Sequence, residues 1–156
     1  MHSFAVRRGF SLIELVIVVV IIGIIGAIAI PRMSRGAAGA ADSALAGNLA
    51  VLRNSIDLFQ TEHGGLFPTQ VKFSDQLTLF SDDAGNVMST KDSTFIFGPY
   101  LRAIPPLPVG ANKGATGVNA TAGSGIGWIY DDTTGAIRAS TTGSEVDARG
   151  VLYSAY

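Results

Sequence analysis

Glu14 is the one charged side chain between residues 10 and 30, in a run otherwise made of apolar residues, two glycines and Ser11. A carboxylate in that setting is badly solvated unless it pairs with a cation or reaches a polar interface. Arg7 and Arg8 precede it, separated by Gly9 and Phe10. Other candidate chemistry is thin. His2 lies near the start and His63 in a Gly-rich turn, and neither has HExxH spacing or the context of a nucleophilic triad. Asp82-Asp83 and Asp131-Asp132 are paired acids set among turn residues, where solvated turn carboxylates are the simplest reading. The Gly-rich stretch 110–117 suggests a phosphate loop but lacks the Gly-Lys-Ser/Thr order, and Gly123-x-Gly125-x-Gly127 is an equally weak dinucleotide signal. Asn119-Ala120-Thr121 matches a glycosylation acceptor, a short and unspecific pattern. No nucleophile–base pair is visible, so an enzyme is not expected.

The elements that must position Glu14 begin with the block around it. Residues 10–30 are 21 positions that would span ~31 Å as a helix, the thickness of a bilayer's hydrocarbon core. The run is apolar on every side, which fits lipid or a fully buried helix, and Pro31, Arg32 and Arg35 follow it. Basic residues flank both ends, so charge alone fixes the orientation weakly. The Gly-, Ser- and Thr-rich remainder reads as an exported domain, which places the N-terminus in the cytoplasm.

Three readings of the block compete: a permanent anchor, a secretory signal, and a helix retained after a basic leader is removed. Ala27-Ile28-Ala29 satisfies the small-residue pattern of a signal-peptidase site, so an exported binding domain cut after Ala29 is one alternative. Glu14 separates the readings. An acid costs roughly 2.5–3.5 kcal/mol at the centre of a bilayer and less near its interface. A disposable signal gains nothing from that cost, whereas a retained helix recovers it when the carboxylate meets a cation.

Residues 37–60 turn amphipathic. Leu45, Leu49, Leu52, Ile56 and Phe59 recur at spacings of four and three, and define one helical face expected to cover a sheet. Asp42, Asn48, Arg53 and Asp57 lie off that stripe. Gly64-Gly65 ends the helix and Pro68 forbids its early return. Residues 71–80 are ambiguous, and 82–86 read as a turn. Gly127 to Tyr130 and Ala136 to Ala139 flank Asp-Asp-Thr-Thr-Gly, the strongest hairpin signal in the chain.

Gly9-Phe10-Ser11-Leu12-Ile13-Glu14, followed by an unbroken apolar run, resembles the processing site of type IV prepilins and of the pseudopilins of type II secretion. The resemblance implies cleavage between Gly9 and Phe10 by a prepilin peptidase and N-methylation of Phe10. Glu14 then becomes the family's glutamate near the new terminus, an assembly residue together with Phe10. Pro31 falls where the family commonly has a proline, and Gly23, Gly26 and Pro31 become the candidates for a bend or an unwound stretch. The fold implied is α+β and pilin-like: a long N-terminal helix, half membrane and half amphipathic, packed against a small C-terminal antiparallel β-sheet. The chain would divide into a leader (1–9), a membrane and filament-core helix (10–30), the amphipathic half of the helix (31–63), and a periplasmic loop and sheet region (64–156).

Residues 97–108, FGPYLRAIPPLP, resemble the major pseudopilin group, and the hairpin looks like its terminal one. The implied function is a filament subunit that drives protein export. Its implied partners are copies of itself, other pseudopilins, the peptidase, an inner-membrane assembly platform and the bilayer. The subunit would sit in the inner membrane, crossing once, with its C-terminal domain in the periplasm, and then join a periplasmic or surface filament. A pilus subunit for adhesion, motility or DNA uptake shares every motif before Pro31.

Removing the leader leaves nine basic and twelve acidic residues, a net charge of −3. That offers no broad cationic surface for nucleic acid. The absence of cysteine excludes disulfides and thiolate metal sites. No cofactor or metal site is assigned. Calcium is left open, because major pseudopilins often bind one and Asp131, Asp132, Glu145 and Asp147 lie in the corresponding region, yet none matches a ligand position residue by residue.

Overall fold

A computed structural model describes residues 10–156, with the side chains of 29–36 outside the description. The architecture is α+β. Arg7, Arg8 and Gly9 lie outside the described residues, and so does the Pro31 side chain on which the expected bend rests. The chain falls into two compact units, residues 1–37 and 38–156.

In the first unit, helix α1 (Leu12–Glu62) begins with a stretch that has no buried face. Exposure of its large apolar side chains runs from 43% at Val16 to 80% at Leu12. Residues 16–22 are Val and Ile throughout, types that lose rotamer freedom in a helix and favour strands in water. A helix here is therefore not a matter of propensity. In an apolar solvent it is the one local structure that satisfies every backbone N–H and C=O within the segment. Among the described residues no helix is long and apolar enough to cross a membrane. The expected span, 10–30, runs two residues past Ile28, where the described side chains of this stretch stop.

In the second unit the amphipathic stripe is the core. Leu45, Leu49, Leu52, Ile56 and Phe59 are all within 1% of full burial. They share one cluster with Phe73, Leu77, Ile104, Leu107, Trp128, Tyr130 and Ile137. The helix closes as its sequence requires. Gly64 and Gly65 take φ of 64° and 93°, and the Gly65 N–H reaches back to the Gln60 carbonyl at 2.8 Å. The ambiguous residues 71–80 resolve into a short 3-10 turn (Gln70–Lys72), helix α2 (Phe73–Thr78) and strand β1 (Phe80–Ser81). Strand β1 pairs antiparallel with β2 (Val87–Met88).

A three-stranded sheet follows, in the order β3 (Gly117–Asn119), β4 (Ile126–Tyr130), β5 (Ile137–Ala139). The expected hairpin is β4–β5, with Tyr130 opposite Ile137 and Trp128 opposite Ala139. The other pair departs from the antiparallel expectation, because β3 runs parallel to β4 with a register shift after Gly117. Parallel neighbours ordinarily need a crossover of a dozen or more residues. Here Gly125, with φ of 74°, allows a tight return, in which its carbonyl accepts from Gly117 N–H at 3.1 Å.

The stretch 97–108 forms no strand. It lies across the core and buries Ile104 and Leu107. Its proline carbonyls accept from other elements: Pro105 from Trp128 Nε1 at 2.8 Å, and Pro106 from Asn48 Nδ2 at 3.1 Å. Gly127 is required by this packing, since a Cβ there would stand 2.2 Å from the Ala115 carbonyl oxygen.

Candidate functional site

The start of α1 is built by its first residues. Ser11 precedes the helix, and its carbonyl accepts the first helical bond from Leu15 N–H at 3.2 Å. Ser11 is thus the N-cap and Glu14 the third helical residue. The Glu14 Oε2 atom turns back and accepts the Ser11 backbone N–H at 2.8 Å. This is the glutamate arm of a capping box, and it also sets a negative charge at the positive end of the helix dipole. The sequence carried the signal as Ser-x-x-Glu. The expectation from sequence pairs this acid with a cation near the new terminus and does not include the bond to its own backbone.

Phe10 is 81% exposed, and no side-chain cation is bonded to Glu14 among the described residues. The predicted cleavage point can be located on one side only, because Gly9 is outside the description. Gly23 and Gly26 are helical, and a Cβ at either position would meet nothing within 4 Å. The space left by these glycines is unfilled in the single chain.

The remaining acids are held by their own loops. Asp131 accepts Thr133 N–H at 2.9 Å and the Thr133 and Thr134 hydroxyls at 2.6 and 2.9 Å, so it shapes the β4–β5 turn. Those bonds, the Thr133 hydroxyl first, hold its carboxyl below the usual range. Asp132 accepts Gln70 N–H at 3.1 Å. Glu145 bridges two loops, accepting Thr142 N–H and Ala111 N–H at 2.6 Å each, and the Thr142 amide leads the lowering of its pKa. Asp82 is held below the ordinary value chiefly by the Asn86 side chain. Among the described residues no group of three or more His, Asp or Glu stands together to hold a metal.

Asp147 differs from these turn acids because its side chain is fully buried. It accepts the backbone N–H groups of Arg149 and Val151 at 2.8 Å each, Arg149 Nε at 2.9 Å and the Tyr156 hydroxyl. These partners, the Tyr156 hydroxyl foremost, hold its pKa well below the usual carboxylate range. The same C-terminal segment is fastened to the amphipathic stretch of α1. Asp42 accepts the Tyr153 hydroxyl at 2.8 Å and Ala148 N–H at 3.1 Å. Arg53 donates to the Ile137 carbonyl at 3.2 Å and to the main-chain oxygen of Tyr156. Burial, with Asp42 beside it, pushes the Tyr153 hydroxyl up to about 12.

His63 is buried and stacked on Phe59, with ring centroids 3.7 Å apart. Its nitrogens lie 2.7 Å from the Phe59 carbonyl and 3.0 Å from the Ser81 hydroxyl. Both positions are occupied by structural partners.

Residues 5–30 match the family model of the prokaryotic N-terminal methylation motif. The matched segment contains Gly9, Phe10, Glu14, Gly23 and Gly26. It supports a type IV pilin-like prepilin, a class that is processed by a prepilin peptidase and polymerises. No curated protein and no solved structure matches the chain.

Proposed function

We propose that this chain is the precursor of a filament-forming pseudopilin of a type II protein secretion system, cleaved between Gly9 and Phe10 and methylated on Phe10. The methylation motif over residues 5–30 is the observation that carries the reading. Two structural features support it. The first stretch of α1 exposes apolar side chains on every face, and the 38–156 unit completes its own core without them. A chain so divided has a self-sufficient domain and a helix that needs a separate apolar environment.

On this reading the helix resides in the inner membrane, crossing it once, and the domain lies in the periplasm. Polymerisation exchanges lipid contacts for helix–helix contacts, in which van der Waals packing and interhelical polar pairs decide the arrangement. Glu14 neutralises a Phe10 amine and rewards one axial register between subunits, since a buried charge left alone in an apolar medium is costly. The work is mechanical, with no bond chemistry of its own. The secretion assignment, in preference to a pilus, rests on the likeness of residues 97–108 and of the β4–β5 hairpin to the major pseudopilins.

Intact mass of the envelope-derived protein tests the reading. A terminus at Phe10 carrying one extra methyl is expected. A terminus at Ile30 would reject the filament reading in favour of an exported domain with a removed signal.

A further inference from the structure

The Asp147 side chain has no exposure to solvent, and both of its oxygens face donors. Oδ1 accepts Arg149 N–H and Val151 N–H, and Oδ2 accepts Arg149 Nε and the Tyr156 hydroxyl. Carbonyls of the same loop are committed in the same way. Asp147 O accepts Gly150 N–H at 3.0 Å, Val151 O accepts Asp147 N–H at 2.8 Å, and Glu145 O accepts Tyr153 N–H at 3.1 Å. The Glu145 carboxylate is turned to the Thr142 and Ala111 amides. A calcium ion takes roughly six to eight oxygens whose lone pairs point at it. The lone pairs of these groups point at N–H and O–H instead, so the loop does not fit the ion that its acids suggest in the sequence.

The positive charge comes from inside the loop. Arg149 Nε and one terminal guanidinium nitrogen each stand 2.9 Å from Asp147 Oδ2. The same terminal nitrogen donates to the Tyr156 hydroxyl at 2.8 Å, and that hydroxyl donates onward to Oδ2. The Arg149 side chain is 73% exposed above a carboxylate at 0%, so a partly solvated cation caps a buried anion. A buried charge is costly unless it is paired and its remaining lone pairs are filled, and both conditions are met here. We propose that Arg149 is the built-in structural cation of the C-terminal loop: it takes the part that a bound divalent ion would otherwise play, so that residues 145–156 are held against α1 without a metal. The hold on α1 runs through the groups that this ring positions. Tyr153 and Ala148 N–H reach Asp42, and the main-chain oxygen of Tyr156 reaches Arg53.

The test is the melting temperature of the full, detergent-solubilised chain and its rate of chymotryptic cleavage at Tyr153, each read in EDTA and in millimolar calcium. The unaltered chain is expected to give the same two values in both conditions. Arg149→Gln should lower the melting temperature by several degrees and speed the cleavage several-fold, with or without calcium, because it strands a buried carboxylate. Arg149→Lys keeps the charge without the fork and should fall between the two. Adding Asp147→Asn to Arg149→Gln should restore part of the loss, since the stranded charge is then gone; a packing role for Arg149 predicts no such recovery. Calcium-dependent protection of the unaltered chain would overturn the proposal. So would an Arg149→Gln chain as stable as the unaltered one, or a double variant no more stable than Arg149→Gln. The calcium comparison uses the unaltered chain and decides the matter even where Arg149→Gln does not fold. Neither result touches the prepilin reading, which rests on residues 5–30.

Discussion

The two ends of α1 are helical for different reasons. Around Leu45 to Phe59 the apolar residues occupy one stripe, and that stripe is buried by the chain's own sheet and loops. Around Leu12 to Ile28 they occupy every face, and the chain buries none of them deeply. The first case is ordinary amphipathic folding in water, where tertiary packing supplies most of a helix's stability. In the second the packing partner must come from outside the chain. Polar residues follow the same division. Asp42 holds two groups of the C-terminal segment and Arg53 joins that segment to β5, whereas Glu14 holds the first turn of its own helix.

The largest expected effect sets the two stretches directly against each other. Leu52 is fully buried, so Leu52→Ala should cost about 2–5 kcal/mol of the domain's stability, through lost transfer energy and the cavity left behind. Ile21, 50% exposed, should cost the domain less than about 0.5 kcal/mol when changed to alanine. Denaturant midpoints of the detergent-solubilised protein would measure both. Equal losses would show that the two stretches share one cooperative unit and would break the comparison.

A smaller effect sharpens the account of the polar fastenings. Asp147 has a folded pKa held below its unfolded value. Its stabilising contribution is therefore present above the unfolded carboxylate pKa, about 3.9, and is lost as the pH falls below it toward the folded value. Asp147→Asn should lower the melting temperature at pH 7 and flatten its decline between about pH 5 and pH 2. An unchanged acid limb in the variant would assign that decline to other carboxylates, such as Asp131 and Glu145.

How much of this was legible follows from sequence separation. The core stripe could be read because its period repeats over four helical turns, and the β4–β5 hairpin because Asp-Asp-Thr-Thr-Gly lies between two alternating runs. The Ser11–Glu14 bond was equally local, but the apolar surroundings drew attention to the acid's cost and away from its spacing. Other features leave no local trace. Asp42 meets Tyr153 across 111 positions and Arg53 meets Tyr156 across 103, and nothing in either neighbourhood names its partner. Ile104 and Leu107 are core residues in a segment without periodicity, held by the carbonyls of Pro105 and Pro106. The parallel β3–β4 pair depends on a glycine return, which composition alone reads as loop.

The smallest effect on the isolated subunit concerns Gly23, and it is the most informative about the part of α1 that the chain leaves uncovered. Glycine in a helix interior is less favourable than alanine by about 1 kcal/mol. A Cβ at Gly23 meets nothing within 4 Å, and the same holds at Gly47 in the self-supporting stretch. Alanine at either position should therefore strengthen the local helix slightly, seen as slower amide hydrogen exchange in the detergent-solubilised subunit. The two positions should part in assembly. If Gly23 is glycine because a neighbouring helix approaches closely, the added methyl obstructs packing. If it is glycine because the stretch unwinds on assembly, the stronger helix resists. Both routes lower filament yield for Gly23→Ala while the subunit itself is intact or improved. Undiminished yield would mean that Gly23 has no assembly role, and that the all-round apolar character of the helix suffices without a tuned point within it.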